Sequence, residues 1–410
     1  MLSGAAGTGY RQVLGTSAAV RPFAAAVVAR LPISMAPLGA LLLVQHVHGS
    51  YGFAGTVTGA FALGTAVGGP VWARLMGRWG QSAIVAGTSL LSGLLLAALA
   101  LVTVEGGSAW LLLVLSASSG LTFPPVGPAM RAAWAVIFPP GRVRDAGYAL
   151  DAVAVESIFV GGPLLLSVML VLPPAVPLLV TALLLAAGGV AYSLTGAARH
   201  GAHRVALSHD GTSSPGAGVL RRPSLVAVFA SVGAMAIGFG HLDTAMAATA
   251  REVLSNQRLL GLLFMAIAGG SAIGGLVYGA RHWPGNRSLQ IVLLLAVFTA
   301  GLSALPFVVT REDVGLELLM PFLFVAGLAI APTMIIQMHL VDALAGPRQA
   351  SVGQALLSSA GTTGSAAGTA LGGIVIDAHG PSWGFGGAVI AAALALLVVL
   401  SARRRWAPVG

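Results

Sequence analysis

No cysteine and no lysine occur in the chain's 410 residues, and only 12 are Asp or Glu. Each absence removes a class of chemistry. Without cysteine there is no disulfide, no thiolate nucleophile and no cysteine metal site. Without lysine there is no Walker A phosphate loop and no Schiff base, so ATP hydrolysis is not expected. All 21 basic residues are therefore arginine, and charged residues of both signs make up only 8% of the chain. A soluble domain carries roughly 25%.

What is present instead is apolar sequence, 57% of the whole. A hydrocarbon core about 30 Å thick takes about 20 apolar residues per helix. Windows of that size predict about twelve spans, near 22–45, 53–75, 82–104, 109–131, 147–171, 176–197, 224–249, 259–281, 288–309, 316–340, 352–376 and 384–402. The expected fold class is an all-α membrane protein of twelve transmembrane helices. The first 20 residues lack a compact apolar core followed by a cleavage site, so the first span is expected to stay as an anchor.

The arginines alternate between the gaps. Arg11, Arg21, Arg74, Arg78, Arg131, Arg142, Arg144, Arg199, Arg204, Arg221, Arg222, Arg281, Arg287, Arg348 and Arg403 to Arg405 total 17 and fall in every second gap. The intervening gaps hold only Arg251, Arg258 and Arg311. Positive charge stays on the cytoplasmic side, so both chain ends are expected inside a cell (plasma or inner) membrane. The net charge of +9 is thus a topology signal. A nucleic-acid binder would gather its basic residues on one polar face.

The long polar stretch at 199–223, Gly- and Ser-rich with His200, His203 and His209, separates six spans from six. It reads as a cytoplasmic linker between an N-terminal half, 1–198, and a C-terminal half, 224–410. The halves repeat. Gly68-Gly69-Pro70-Val71-Trp72-Ala73 matches Gly274-Gly275-Leu276-Val277-Tyr278-Gly279, and Gly120-Leu121-Thr122-Phe123-Pro124-Pro125 matches Gly327-Leu328-Ala329-Ile330-Ala331-Pro332. The offsets, 206 and 207 residues, indicate a duplicated six-helix unit. Secondary transporters are commonly built so, with substrate bound between the halves near the midplane. Gly64/Gly68, Gly270/Gly274 and Gly364/Gly368/Gly372 stand four apart on spans 2, 8 and 11. They make smooth strips for close packing, which would mark the seam between halves if those spans form it.

The chain resembles the major facilitator superfamily over essentially its whole length. The family's short loop between spans 2 and 3, roughly G-x-x-x-[GA]-x-[LI]-x-D-R-x-G-R-[RK], aligns with the stretch from Gly69 to Gln81. Gly69, Ala73, Leu75, Arg78 and Gly80 match, and Arg74 falls at a position that the pattern leaves open. Gly77 replaces the aspartate, and Gln81 and Ser82 the final basic pair. The resemblance implies that this loop, with Gly69, Arg74, Arg78 and Gly80, clamps the halves on the cytoplasmic side, here in an altered form. Of the drug–proton antiporter signatures, Gly162-Pro163 survives in span 5, and Ser116 stands where the span 4 arginine belongs.

A charge at the bilayer centre needs a partner or a wet cavity. Arg30 stands about nine residues into span 1, and Glu156 about ten into span 5, roughly 13 and 15 Å deep at 1.5 Å per residue. The resemblance sets these spans side by side, so an Arg30–Glu156 pair is open to the chain. Arginine does not release its proton in practice, whereas a carboxylic acid can. Glu156 is therefore the candidate proton carrier and Arg30 its reference charge, unless the two form a structural ion pair. Asp151, about 8 Å in, is within reach of Arg131 as a gate or an interfacial salt bridge. His241 and Asp243 in span 7, with Gln337 and His339 in span 10, are cavity or gate candidates by resemblance. A helix–helix hydrogen bond is the plainer role for Gln337. Pro32, Pro37, Pro124, Pro125, Pro128 and Pro163 allow kinks in spans 1, 4 and 5.

One fragment points to an enzyme. Gly380-Pro381-Ser382-Trp383-Gly384 fits G-x-S-x-G, with Asp377 and His379 just before it. A nucleophile elbow needs an entering strand, which a membrane helix replaces here. The sequence thus leads to a monomeric transporter of a small molecule, with protons and the lipid bilayer as its other partners. Neither cofactor, metal nor nucleic acid is expected. Proton-coupled efflux of an amphipathic organic compound is the first reading, uptake of a small, possibly anionic solute the second, and a membrane hydrolase at Ser382 a remote third.

Overall fold

A computed structural model describes residues 10–200, 221–281, 283, 286–346 and 349–406, and no strand occurs among them. Most of the predicted linker lies outside the described residues. The expected spans are all helices. Span 1 comprises Ser17–Arg30 and Pro32–His48, span 2 Tyr51–Trp79, span 3 Gln81–Val104, and span 4 Ala109–Leu121 and Val126–Ile137. Span 5 is Arg142–Met169 and span 6 Val176–Ser193. Span 7, Pro223–Ala248, runs on through a π turn, Thr249–Val253, and span 8 is Leu260–Ala280. Span 9 is Arg287–Ser303, span 10 Leu316–Leu328 and Ile330–Ala345, span 11 Ala350–His379 and span 12 Pro381–Trp406.

Ten of these, among the described residues, are long and apolar enough to cross a membrane. Spans 2 and 11 fall short because glycine, serine and threonine dilute them, although they are 29 and 30 residues long. Such helices gain little from lipid and are suited to packing against other helices. Below, each span end is named for the arginine content of the gap it adjoins.

Spans 4 and 10 break at matching places, after Leu121 and after Leu328, an offset of 207 residues. In span 4, Pro124 and Pro125 supply no amide, so the helix stops and restarts at Val126. Trp72 Nε1 donates to the freed Leu121 carbonyl at 2.6 Å. The neighbouring glycines repeat as well. A Cβ on Gly68 would lie 2.0 Å from the Leu121 carbonyl oxygen, and one on Gly274 2.0 Å from that of Leu328. Gly64 and Gly270 likewise abut the backbone at Ala117 and Phe324. The strips on spans 2 and 8 therefore pack on spans 4 and 10. That of span 11, Gly364/Gly368/Gly372, packs on Gly233, Ile237 and His241 of span 7. None of these strips joins one six-span half to the other; they serve close packing within a half.

The chain divides into two compact units. The first comprises residues 1–39, 64–162 and 172–211; the second comprises 40–63, 163–171 and 212–410. The arginine-poor ends of spans 1, 2 and 5 thus belong to the unit that holds spans 7 to 12. In the first unit, Trp134 is fully buried, with Phe23 and Phe138 against its ring. In the second, Phe298, Phe385 and Trp406 are fully buried.

Candidate functional site

Span 1 is interrupted beside its charge. The first helix ends at Arg30, and Leu31 leads into Pro32, whose ring cannot donate back to the preceding turn. Arg30 Nη2 donates to Asp151 Oδ1 of span 5 at 2.6 Å, and its Nε donates to the Ala26 carbonyl at 3.1 Å. Both side chains are buried, each residue 6% exposed. This is the one salt bridge among the described residues. Buried Tyr192 of span 6 lies within electrostatic reach of both charges, and its hydroxyl donates to Gln81 Oε1 at 3.4 Å. Span 6 comes this close because Gly188 has no side chain: a Cβ there would lie 2.4 Å from the Ala29 nitrogen.

Two expected pairings are thereby corrected. Arg30 is engaged by Asp151 and not by Glu156, and Asp151 is engaged by Arg30 and not by Arg131. The reason is helical phase. Five residues advance a helix by about 500°, so Glu156 points roughly 140° away from Asp151. Asp151 is buried while Glu156 is exposed on the helix surface, in a strip with Tyr148, Ala152 and Phe159. Arg131 is also exposed. Depth misled as well: Asp151 stands five residues, about 7.5 Å, shallower than the acid that the depths paired with Arg30.

The other candidates are scattered. His241 is buried, with Nδ1 3.1 Å from the Ile237 carbonyl oxygen. Its ring fills space left by glycine, since a Cβ on Gly387 would lie 2.2 Å from Cδ2. Span 7 thus packs on span 12 there. Asp243 is half-buried, two residues along the same helix. Gln337 is buried and its Nε2 donates to Ser231 Oγ at 3.3 Å, joining spans 10 and 7. That is the plainer role expected for it. His339 is exposed. Arg74 and Arg78 stand exposed on the last turns of span 2. Gly80, at φ +87°, turns the chain into span 3 in one residue, a conformation that favours glycine. Gly69 has open space where its Cβ would be.

The G-x-S-x-G fragment is not assembled as an elbow. Ser382 Oγ donates to the Pro306 carbonyl at 2.7 Å. His379 lies against the Trp383 ring, centroids 5.0 Å apart. Asp377 reaches away from both to Ser50, Tyr51 and Gly52 at the start of span 2. No group of His, Asp and Glu suited to a metal ion occurs among the described residues.

Sequence reasoning missed this last cluster. Asp377 had been grouped with a serine motif, and Gln45 had not been singled out. Arg251 Nη1 donates to Gln45 Oε1. These residues stand 206 apart, so they are counterparts in the two repeats, an equivalence that does not by itself mark a contact.

Broken spans recurring at one offset mark an internal structural repeat, of the kind many transporter folds contain. The family model of the Major Facilitator Superfamily matches residues 23–354. The chain belongs to the Major Facilitator Superfamily. Two solved members show the same fold. The crystal structure of a mutant of the nucleoside transporter NupG superposes with a TM-score of 0.70 at 10% identity, over 93% of this chain and 98% of that one. A bacterial homolog to the human lysosomal transporter Spinster, inward-facing and occupied, gives 0.65 at 12%, over 94% and 95%. No curated protein matches the chain by sequence. Family membership sets this superfamily protein among membrane transporters and not among enzymes.

Proposed function

We propose that the protein is a secondary transporter working by alternating access, in which proton movement drives the efflux of an amphipathic organic compound. One observation carries the proton coupling. Glu156 is exposed within a span and has no salt bridge among the described residues, while Arg30 is neutralised by Asp151. A carboxylate so placed cannot face hydrocarbon cheaply and calls for a wet path. It can take up and release a proton without competing against a fixed cation. Arg30 and Asp151 then serve as a neutral brace fixing spans 1 and 5. Because Arg30 is already occupied, capture of an anionic solute by that residue has less support, and apolar cargo is favoured.

The reading further takes the arginine-rich ends as cytoplasmic, the membrane as the cell membrane, and the working form as a monomer. The test begins with purified protein and a panel of amphipathic compounds, scored by thermal shift. Hits are then assayed for flux in proteoliposomes under an imposed pH gradient. Glu156→Gln is expected to abolish gradient-driven flux while leaving exchange of substrate for substrate intact. Undiminished gradient-driven flux in Glu156→Gln would remove this acid from the mechanism. Uptake driven by an inwardly directed proton gradient would reverse the proposed direction.

A further inference from the structure

The first amides of a helix have no partner within it and must find one elsewhere. In span 2 each is answered. Tyr51 N donates to Asp377 Oδ1 at 2.7 Å, and Gly52 N to Asp377 Oδ2 at 2.8 Å. Phe53 N donates to Ser50 Oγ at 3.0 Å, and Ala54 N to the Ser50 carbonyl at 3.2 Å. Ser50 Oγ in turn donates to Asp377 Oδ2 at 2.6 Å. Two of the four amides thus depend on a carboxylate at the far end of span 11. A negative charge there also meets the positive end of the helix dipole.

Span 8, the repeat counterpart of span 2, starts differently. Asn256, 206 residues after Ser50, accepts from Arg258 N at 3.1 Å. Asn256 caps the 3-10 turn Gln257–Leu259 that runs into span 8, and span 8 itself has no side-chain cap, whereas span 2 borrows its cap from another span.

The surrounding backbone is shaped for the borrowing. A Cβ on Gly373 would lie 2.1 Å from the Tyr51 carbonyl oxygen, and one on Gly55 2.4 Å from that of Thr369. Glycines thus bring spans 2 and 11 together at their arginine-poor ends, where the hydrogen bond between Gln45 and Arg251 ties span 1 to span 7. At the other end of span 2, Gly77 stands where the family has its loop aspartate.

We infer that Asp377 is a latch: its carboxylate caps span 2 from span 11 and holds the arginine-poor ends of the two spans shut, and its release is a step of the transport cycle. The latch rests on the alternating-access reading only for that last clause. Its closed geometry is independent of the cargo and of the proton.

The chain has no cysteine, so a single introduced one reports access directly. Ala366→Cys lies in the seam, 5% exposed and against Gly59 of span 2. Ala152→Cys sits on the exposed strip of span 5 beside Glu156. Both are labelled with a hydrophilic maleimide on full-length protein in nanodiscs. Asp377→Ala is expected to speed labelling of Ala366→Cys by about fivefold, the population shift that losing a helix cap typically brings. Labelling of Ala152→Cys is expected to slow in parallel. Asp377→Asn keeps an acceptor but loses the charge, and should fall between; it carries the test if Asp377→Ala does not fold. Unchanged labelling at Ala366→Cys in a folded variant would overturn the latch, as would equal acceleration at both reporters. Faster labelling at Ala366→Cys with none lost at Ala152→Cys would keep the latch and sink alternating access.

Discussion

At the scale of single residues, the Arg30–Asp151 pair has the most at stake. Removing one partner of a buried pair leaves the other charge uncompensated, typically at about 3–5 kcal/mol, whereas replacing both with apolar residues is often tolerated. Arg30→Met and Asp151→Leu should each lower the melting temperature of the purified protein markedly. The double variant should recover most of that loss, and additive losses would show that the pair does not act as a unit. How far the sequence could be read at this scale is uneven. Arg30 stood out because an arginine within a span is rare. Its partner did not, because depth counted from the span ends favoured Glu156, about 7.5 Å further along span 5, and says nothing of direction around the helix. Apolar periodicity settles direction for a helix with one wet face, but not for one surrounded by protein and lipid.

At the scale of elements, helix contacts decide which glycines matter. Gly68→Val and Gly274→Val would each force a side chain onto a carbonyl oxygen that a Cβ alone would meet at 2.0 Å. Both should be severely destabilising by thermal melting, and to similar degrees if the repeat is mechanical as well as sequential. Gly69→Ala, one residue along with nothing within 4 Å, should change stability by no more than about 0.5 kcal/mol. The same residues show what the sequence conveys about elements. Spacing of four identified the faces that pack closely, but spacing says nothing of which helix arrives. Spans 4, 10 and 7 fill that role. The seam of spans 2 and 11 uses Gly52, Gly55, Gly59 and Gly373, which do not form one neat strip.

At the scale of the whole molecule, the arginine alternation gives a test that needs no ligand. Arg311→Cys, from an arginine-poor gap, should react with a membrane-impermeant maleimide on intact cells. Arg405→Cys, near the chain's end, should react only after the cells are opened. The reverse pattern would invert the topology. Twelve spans and the repeat were legible because hydrophobic length and an offset near 206 are properties of sequence alone. The grouping into two units was not. It depends on where spans 1, 2 and 5 end among the C-terminal spans, and no local pattern records that.

The borrowed cap also sets an order of assembly. Asp377 lies 325 residues after Gly52, and ribosomes add about 5–20 residues per second. Span 2 is therefore inserted roughly 16–65 s before its carboxylate is made, with its leading amides left to water or to the translocation machinery in the meantime. The turn that leads into span 8 is capped by its own Asn256 and needs no such wait. The N-terminal end of span 2 is thus completed from behind, by a helix that the ribosome delivers nine spans later.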